Sequence, residues 1–188
     1  EIPLRLVGSE MCIRDSLDLD AGGRLNDEGT LRGRFITAYQ DEGSYLDEKH
    51  SSAPLFYGIV DIDLDPDTVL TASLRHQSSK VRGYSIFGLP RYSDGSALDV
   101  SRSTALVQDW NQHQPQITEV FSEVAHSFND DWTGKLSLIH SEGGFHQSIA
   151  YARGAVDPAT GIGAQFRGVE FRHTRIDSTG VDLSLIHI

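Results

Sequence analysis

Residues 56–74 read FYGIVDIDLDPDTVLTASL and contain two alternating patterns joined by a turn. From Phe56 to Leu64 apolar residues occupy every second position, and the positions between them become acidic. The alternation resumes at Leu70, after the Asp-Pro-Asp sequence of residues 65–67. A period of two is typical of a strand with two different faces, and Pro with Asp favours a tight turn. The stretch therefore predicts an antiparallel hairpin.

The same pattern occurs twice more along the chain. Hairpins are predicted over residues 17–40 and 119–141, and a last strand is predicted around residues 171–183. A gapless shift that pairs His76 with His140 also aligns the second and third hairpins over their turns. The count comes to about seven strands, and no convincing helical stretch remains. The sequence thus predicts an all-β, antiparallel fold.

The predicted connections alternate between short and long. The tight ones are residues 26–29, 65–67 and 129–131, and the long ones are residues 41–53, 78–112 and 142–168. Ordinary domains keep most connections near four to six residues, whereas outer-membrane barrels alternate short periplasmic turns with long extracellular loops. The layout therefore predicts a segment of a transmembrane β-barrel, a meander of about seven strands.

The chemistry of the two faces fits a barrel. Polar residues are predicted to face a wet lumen: Asp61, Asp63, Thr71, Arg75, Glu123 and Lys135. Apolar residues are predicted to face lipid: Leu70, Leu74, Val124 and Leu138. Phe128 and Trp132 flank a tight turn, the place of an aromatic girdle. The alternative is a soluble all-β ligand-binding module, a sandwich or small barrel, because a sheet with one solvated face alternates in the same way.

Composition excludes several classes of protein. The 188 residues carry a net charge of -11 and are 38% hydrophobic, and no apolar run is long enough for a membrane-spanning helix. The excess of acid argues against nucleic acid as a partner. Cys12 is the only cysteine, so neither an intrachain disulfide nor a zinc cluster of cysteines is possible.

Both ends of the chain have an unusual sequence. Residues 1–16, EIPLRLVGSEMCIRDS, look like the translation of a sequencing adapter, and residues 183–188 resemble an adapter from the opposite end. The pentapeptide LSLIH of this tail also occurs at residues 136–140. A signal-like leader is the alternative for the first segment, but it lacks a continuous apolar core. We therefore expect the barrel segment to span residues 17–182.

Residues 57–68, YGIVDIDLDPDT, resemble a run that is common in TonB-dependent siderophore receptors, YG-x-[VIL]-[ED]-x-DL-x-PDT. The resemblance continues in order through residues 29–34, 88–90 and 92–96, and it covers essentially residues 17–181. The ferrichrome, coprogen and pyoverdine type of receptor is the most similar subgroup.

This resemblance implies an outer-membrane receptor of a Gram-negative bacterium. Such a receptor has a barrel of about 22 strands and a plug domain, and it imports ferric siderophores with energy from TonB. The chain would hold about a third of that barrel, without a plug or TonB-box sequence. The implied partners are a ferric siderophore as ligand, outer-membrane lipid, and TonB through the missing N-terminal region. No directly bound cofactor is implied.

Catalytic and metal-binding patterns are not apparent. The eight His residues include no HExxH motif, and His76 and His140 occupy equivalent strand ends, which favours a position at the membrane interface or loop mouth. Gly161 and Gly163 lack the strand-to-helix context of a phosphate loop. No GxSxG motif fixes a nucleophile, so a secreted hydrolase is a third and weaker possibility. We assign no catalytic residue and no metal ligand.

The long connection at residues 78–112 carries the candidate ligand-binding residues. These are Tyr84, Phe87, Arg91, Tyr92 and Trp110. A ferric siderophore is compact and often anionic, and it presents apolar faces that aromatic rings flanked by Arg can hold. The alternative is that these aromatic residues only pack the loop against itself.

Overall fold

The computed structural model of the chain describes residues 5–7 and 14–187. This part of the chain folds into one sheet of nine strands, all paired antiparallel. The strands are β1 (Arg5–Val7), β2 (Arg14–Arg24), β3 (Leu31–Gly43), β4 (His50–Asp65), β5 (Thr68–Ser78), β6 (Lys80–Arg82), β7 (Gln112–Ser127), β8 (Trp132–Arg153) and β9 (Gln165–His187). The described residues contain no helix that is long and apolar enough to span a membrane.

The strands follow one another in the sheet as they do in the chain. The order is β1-β2-β3-β4-β5-β7-β8-β9, and the short β6 pairs with β4 and β7. The predicted meander is therefore confirmed, with β1 and β6, of three residues each, added to the long strands.

Side chains of Asn and Asp close the three tight turns, as predicted. The Asn26 side-chain oxygen accepts a hydrogen bond from the Leu31 amide at 3.0 Å. The Asp65 carboxylate accepts one from the Asp67 amide at 2.9 Å, and the Asn129 side chain accepts one from Asp131 at 3.0 Å. Such local bonds replace the backbone bonds that a reversing chain gives up.

The sheet has one polar and one apolar face, which we call the lumen face and the lipid face. The lumen face carries Arg32 with Asp63, joined by two contacts of 2.6 Å, and Lys135 with Glu123 at 3.6 Å. The other predicted lumen residues join it: the Thr71 hydroxyl donates to Asp61 at 2.6 Å, and Arg75 pairs with Glu119 at 3.3 Å. These assignments of face are confirmed.

On the lipid face, apolar residues form continuous rows across the strands. One row is Ile62, Leu70, Val124, Leu136 and Leu183, each opposite the next. Leu74, Leu136 and Leu138 are between 41% and 50% exposed. Side chains this apolar and this exposed require an apolar surrounding, as a bilayer provides.

Two of the predicted long connections are much shorter than expected. The chain reverses between β3 and β4 over residues 44–49 instead of 41–53, and between β8 and β9 over residues 154–164 instead of 142–168. Strands β8 and β9 have 22 and 23 residues, about twice the number that crosses a bilayer. The prediction was wrong because apolar alternation stops where lipid contact stops, while the backbone ladder continues beyond it.

The ends of the chain also take part in the sheet. Of the first sixteen residues, 1–4 and 8–13 lie outside the described residues, whereas 5–7 form β1 and 14–16 begin β2. Residues 183–187 continue β9, and Leu183 lies opposite Leu136. Strand pairing does not reveal the origin of a sequence, so the adapter origin of both ends stays a prediction.

Candidate functional site

The most buried side chains of the described residues lie beyond the apolar rows, where residues 83–111 meet β8. We call residues 83–111 the long loop. Asn111 is fully buried, and Ile149 and Ala150 of β8 are each 2% exposed. This compact core shows that the long loop packs against β8. We call the sheet, seen as part of a barrel, the wall.

Asn111 holds the base of the long loop. Its side-chain nitrogen donates to the carbonyls of Ala150 at 2.9 Å and Tyr84 at 3.0 Å. Its side-chain oxygen accepts from the amides of Ala150 at 2.9 Å and Gln108 at 3.2 Å. Its backbone carbonyl accepts from the Gly83 amide at 2.9 Å. One carboxamide thus ties both ends of the long loop to β8.

Aromatic rings follow one another along the lumen face at this level. Tyr84 stacks on His113 with ring centroids 4.7 Å apart, and His113 lies 5.5 Å from Phe145. Phe145 in turn lies 6.3 Å from Phe171. The register places His113, Phe145 and Phe171 on the same face as the ion pairs. Phe171 is 47% exposed.

Phe87 lies on the same side of the wall. Its ring centroid is 4.6 Å from that of Tyr151, a lumen-face residue of β8. Both rings line a cavity of about 210 Å³ beneath the long loop. Leu46, Leu89 and Leu106 also line it, so the cavity is mainly apolar.

Trp110 lies on the opposite side of the wall. Its ring approaches Gly168 of β9, where an added Cβ atom would come within 3.3 Å of the indole. Gly168 pairs with Ala150, and the register places both on the lipid face. Trp110 therefore covers the outer side of the wall, although it is adjacent to Asn111 in sequence.

The tip of the long loop pairs with the connection between β8 and β9. The Val156 amide donates to the Arg91 carbonyl, and the Ser93 amide donates to the Val156 carbonyl, both at 2.9 Å. The Arg91 guanidinium donates to the Gly95 carbonyl at 3.0 Å. Arg91 and Tyr92 thus lie where the long loop meets the connection between β8 and β9.

Two carboxylates stabilise the turns at this junction. The Ser96 hydroxyl and amide lower the pKa of Asp94 below its usual value. The Thr160 amide, followed by the Thr160 hydroxyl, lowers the pKa of Asp157. A lowered pKa means that the charged form is favoured in the folded loop, so this contribution is complete at neutral pH and is lost as the pH falls through the lowered pKa.

The long loop also contacts the connection between β3 and β4. The Asp47 amide donates to the Ser103 carbonyl at 2.8 Å, and the Arg102 guanidinium lies 5.5 Å above the Tyr45 ring. The loop is therefore attached to both neighbouring connections and to β8.

The candidate ligand residues consequently fall into three places. Tyr84 and Phe87 lie on the lumen side, Arg91 and Tyr92 lie at the tip, and Trp110 lies on the lipid side. Sequence analysis missed Asn111, His113, Phe145, Tyr151 and Phe171. An available signal for Phe145 was that it is in phase with Lys135, a predicted lumen residue of the same strand. No such signal existed for Phe171, because a register shift between β8 and β9 separates it from the lumen residues of β9.

No protein-family model matches the chain. It is 36% identical over 141 residues to the ferric-pyoverdine M114 receptor PbuA of Pseudomonas sp. strain M114, covering 73% of this chain and 17% of that protein. It is 33% identical over 165 residues to the ferripyoverdine receptor of Pseudomonas aeruginosa, covering 85% of this chain and 20% of that protein. The chain thus spans about a fifth of the length of these relatives.

Solved structures of siderophore receptors are also similar to the chain. The pyoverdine outer membrane receptor of Pseudomonas aeruginosa bound to pyoverdine has a TM-score of 0.86 and 30% identity, over 98% of this chain and 27% of that chain. The ferric preacinetobactin receptor of Acinetobacter baumannii has a TM-score of 0.71 over 98% of this chain and 27% of that chain, and at 16% identity it supports the fold alone.

These structures match the antiparallel sheet, with its lipid face and its lumen face, over 98% of the chain. The sheet is therefore a segment of an outer-membrane receptor barrel. The chain belongs to the TonB-dependent siderophore-receptor family, and its homologues are ferric-pyoverdine receptors. Its location is the outer membrane of a Gram-negative bacterium, and the alternative of a soluble module is not favoured.

Proposed function

We propose that the protein containing this segment binds ferric siderophores of the pyoverdine class and imports them with energy from TonB. Relatives that share a third of the aligned residues are ferric-pyoverdine receptors, which supports this ligand class. The segment contributes barrel wall and extracellular loop. Coupling to TonB would act through a part of the protein outside the segment.

The observation that carries the proposal is the aromatic row on the lumen face beneath the long loop. A lumen is wet, and an exposed phenyl ring such as that of Phe171 is stabilised there when a ligand covers it. We place the ligand against Tyr84, Phe87 and Phe171, with Arg91 and Tyr92 above it. Arg91 supplies positive charge toward an anionic ligand.

Trp110 has a different role in this proposal. Because it lies on the lipid face against Gly168, it holds the base of the long loop from outside and does not contact a ligand in the lumen. The proposed ligand site therefore leaves out Trp110. It keeps the other four sequence-predicted residues, which lie on the lumen side and at the tip of the long loop: Tyr84, Phe87, Arg91 and Tyr92.

Radioactive iron uptake tests the proposal. The full-length receptor is expressed in a Gram-negative host that lacks its own pyoverdine receptors, with and without TonB. Uptake of iron-labelled ferric pyoverdine should require both the receptor and TonB. Equal uptake without TonB, or none in either host with a correctly folded receptor, would refute the proposed function.

A further inference from the structure

Two arginines are neighbours on the lumen face, between Phe171 and the connection of β8 to β9. Arg153 is the last residue of β8 and lies opposite Gln165, whereas Arg167 of β9 lies opposite Tyr151. The register places both arginines on the face that carries Tyr151 and Phe171. Arg153 and Arg167 are therefore diagonal neighbours across two strands, a relation in which Cα atoms are about 7–8 Å apart and long side chains reach one another.

Neither arginine has an anionic partner among the residues that the structure describes, and both are exposed. A shortage of acid does not explain this, because the net charge of the chain is -11. Four cations of the lumen face that lie nearer the tight turns each contact a carboxylate: Arg32 with Asp63 at 2.6 Å, Arg34 with Asp20 at 2.6 Å, Arg75 with Glu119 at 3.3 Å and Lys135 with Glu123 at 3.6 Å.

The carboxylates nearest to these arginines in sequence bind other groups. Asp157, which follows Arg153 in the connection, accepts hydrogen bonds from two amides and a hydroxyl of its own turn, at 2.8–3.0 Å. Glu170, which follows Arg167 in β9, lies on the lipid face and contacts Arg172 at 2.7 Å. Two neighbouring like charges repel each other, and an anion held between them relieves that repulsion. The pair of arginines is thus suited to an anion that comes from outside the described residues.

The pair lies beside the aromatic residues of the proposed ligand site, because Tyr151, opposite Arg167, carries the ring that contacts Phe87 with centroids 4.6 Å apart. A guanidinium is planar and binds a carboxylate through two parallel hydrogen bonds. We propose that Arg153 and Arg167 bind a free carboxylate of the ferric siderophore and thereby select an acidic siderophore over the same molecule with a neutral amide. This inference rests on the proposed function and adds the chemical group that the siderophore presents to this part of the wall.

The affinities of the full-length receptor for two ferric pyoverdines test the proposal. The two probes differ in one group only, which is a free carboxylate in one and a primary amide in the other. The wild type should bind the carboxylate form about tenfold more tightly, because hydrogen bonds to charged groups are stronger than those to neutral groups. The double variant Arg153→Gln with Arg167→Gln should bind both forms equally, with the affinity that the wild type has for the amide form. Ligand-quenched fluorescence measures all four affinities.

Arg82→Gln is the matched control for the loss of an arginine. Arg82 also forms no ion pair with any described residue, but it lies opposite His50, on the lipid face. The Arg82→Gln receptor should therefore keep the full preference for the carboxylate form. Replacing both Arg153 and Arg167 by Lys retains the two charges without the planar donor group, and this variant should keep part of the preference.

The comparison of the two forms separates this proposal from the proposed function. Equal wild-type affinities for the two forms would overturn the carboxylate site alone, and so would a double Gln variant that weakens both forms by the same factor. A folded wild type that binds neither form would refute the proposed function. Heat-modifiable gel migration confirms folding, and if the double Gln variant fails to fold, Arg167→Gln alone takes its place and should lose part of the preference.

Discussion

The Asn111 side chain forms both hydrogen bonds that a neighbouring strand would form with Ala150. The side-chain nitrogen donates to the Ala150 carbonyl and the side-chain oxygen accepts from the Ala150 amide, each at 2.9 Å. β7 can therefore begin only at Gln112 while the buried backbone groups of Ala150 stay bonded. A side chain thus replaces the next backbone pair of the ladder, and the long loop ends at a fixed point.

Asn111→Ala should loosen the long loop without unfolding the barrel. It leaves the buried Ala150 backbone groups unsatisfied, at a cost of about 1–3 kcal/mol for each group. Hydrogen exchange measured by mass spectrometry should show the segment 147–152 exchanging roughly tenfold faster or more. Exchange in β4 and β5 serves as the internal control. Unchanged protection at 147–152 would show that the Asn111 bonds contribute little.

The proposed ligand site predicts that alanine substitution of two exposed phenylalanines of β9, Phe171 and Phe166, will affect ferric-pyoverdine binding differently. Phe171→Ala should weaken ferric-pyoverdine binding by roughly tenfold or more, since truncation of a central aromatic contact often costs about 2 kcal/mol. Phe166 is similarly exposed, at 52% against 47%, but the register places it on the lipid face opposite Ala152. Phe166→Ala is therefore the matched control and should bind normally.

Trp110→Ala extends this comparison to the long loop. The expected loss of affinity is less than about threefold, because the indole is outside the lumen. Ligand-quenched fluorescence gives the affinities, and heat-modifiable gel migration confirms folding. Equal losses for Phe171→Ala and Phe166→Ala, or a larger loss for Trp110→Ala, would place the ligand elsewhere.

Glycines on the lipid face provide a test of the wall itself. A Cβ atom on Gly144 would collide with the Thr174 carbonyl, whereas a Cβ on Gly58 would meet no atom within 4 Å. Gly144→Ala should destabilise the folded barrel by about 1–3 kcal/mol, as overpacking does elsewhere. Gly58→Ala should be tolerated. Urea titration followed by gel migration measures both, and equal midpoints would contradict the β8–β9 register.

The lengths of the connections predict the orientation of the barrel segment, with the tight turns in the periplasm and the long loop outside the cell. A Cys introduced at Ser93, in the long loop, should react with a membrane-impermeant maleimide on intact cells. A Cys at Asp130, in a tight turn at the other end, should react only after the outer membrane is permeabilised. The reverse pattern would invert the barrel and place the long loop in the periplasm.

Sequence analysis predicted the features that the bilayer imposes. Leu70, Val124 and Leu136 alternate with polar residues because one face meets lipid and the other meets water. The hairpins can therefore be recognised in the amino-acid sequence. Beyond the bilayer both faces meet water, and residues 142–153 lose the alternation although they remain in β8. The extended wall was therefore predicted as loop.

The site was predicted less completely for a related reason. Aromatic residues in the long loop were identifiable, but their side of the wall depends on how Asn111 and Trp110 meet strands that lie far along the chain. Asn111 and Ala150 are separated by 39 positions, and no local pattern encodes their contact. A period of two also has no meaning inside an irregular loop, so Trp110 could not be placed on the lipid face from sequence.

Equilibrium binding of iron-labelled ferric pyoverdine to energy-depleted cells tests the central claim most directly, because it measures recognition without transport. Cells that express the full-length receptor should bind the ligand saturably, and excess unlabelled ferric pyoverdine should displace it. Cells without the receptor should show only nonsaturable background. Background binding alone to cells whose receptor is folded and surface-exposed, as shown by labelling at Ser93, would contradict the assignment of a ferric-pyoverdine receptor.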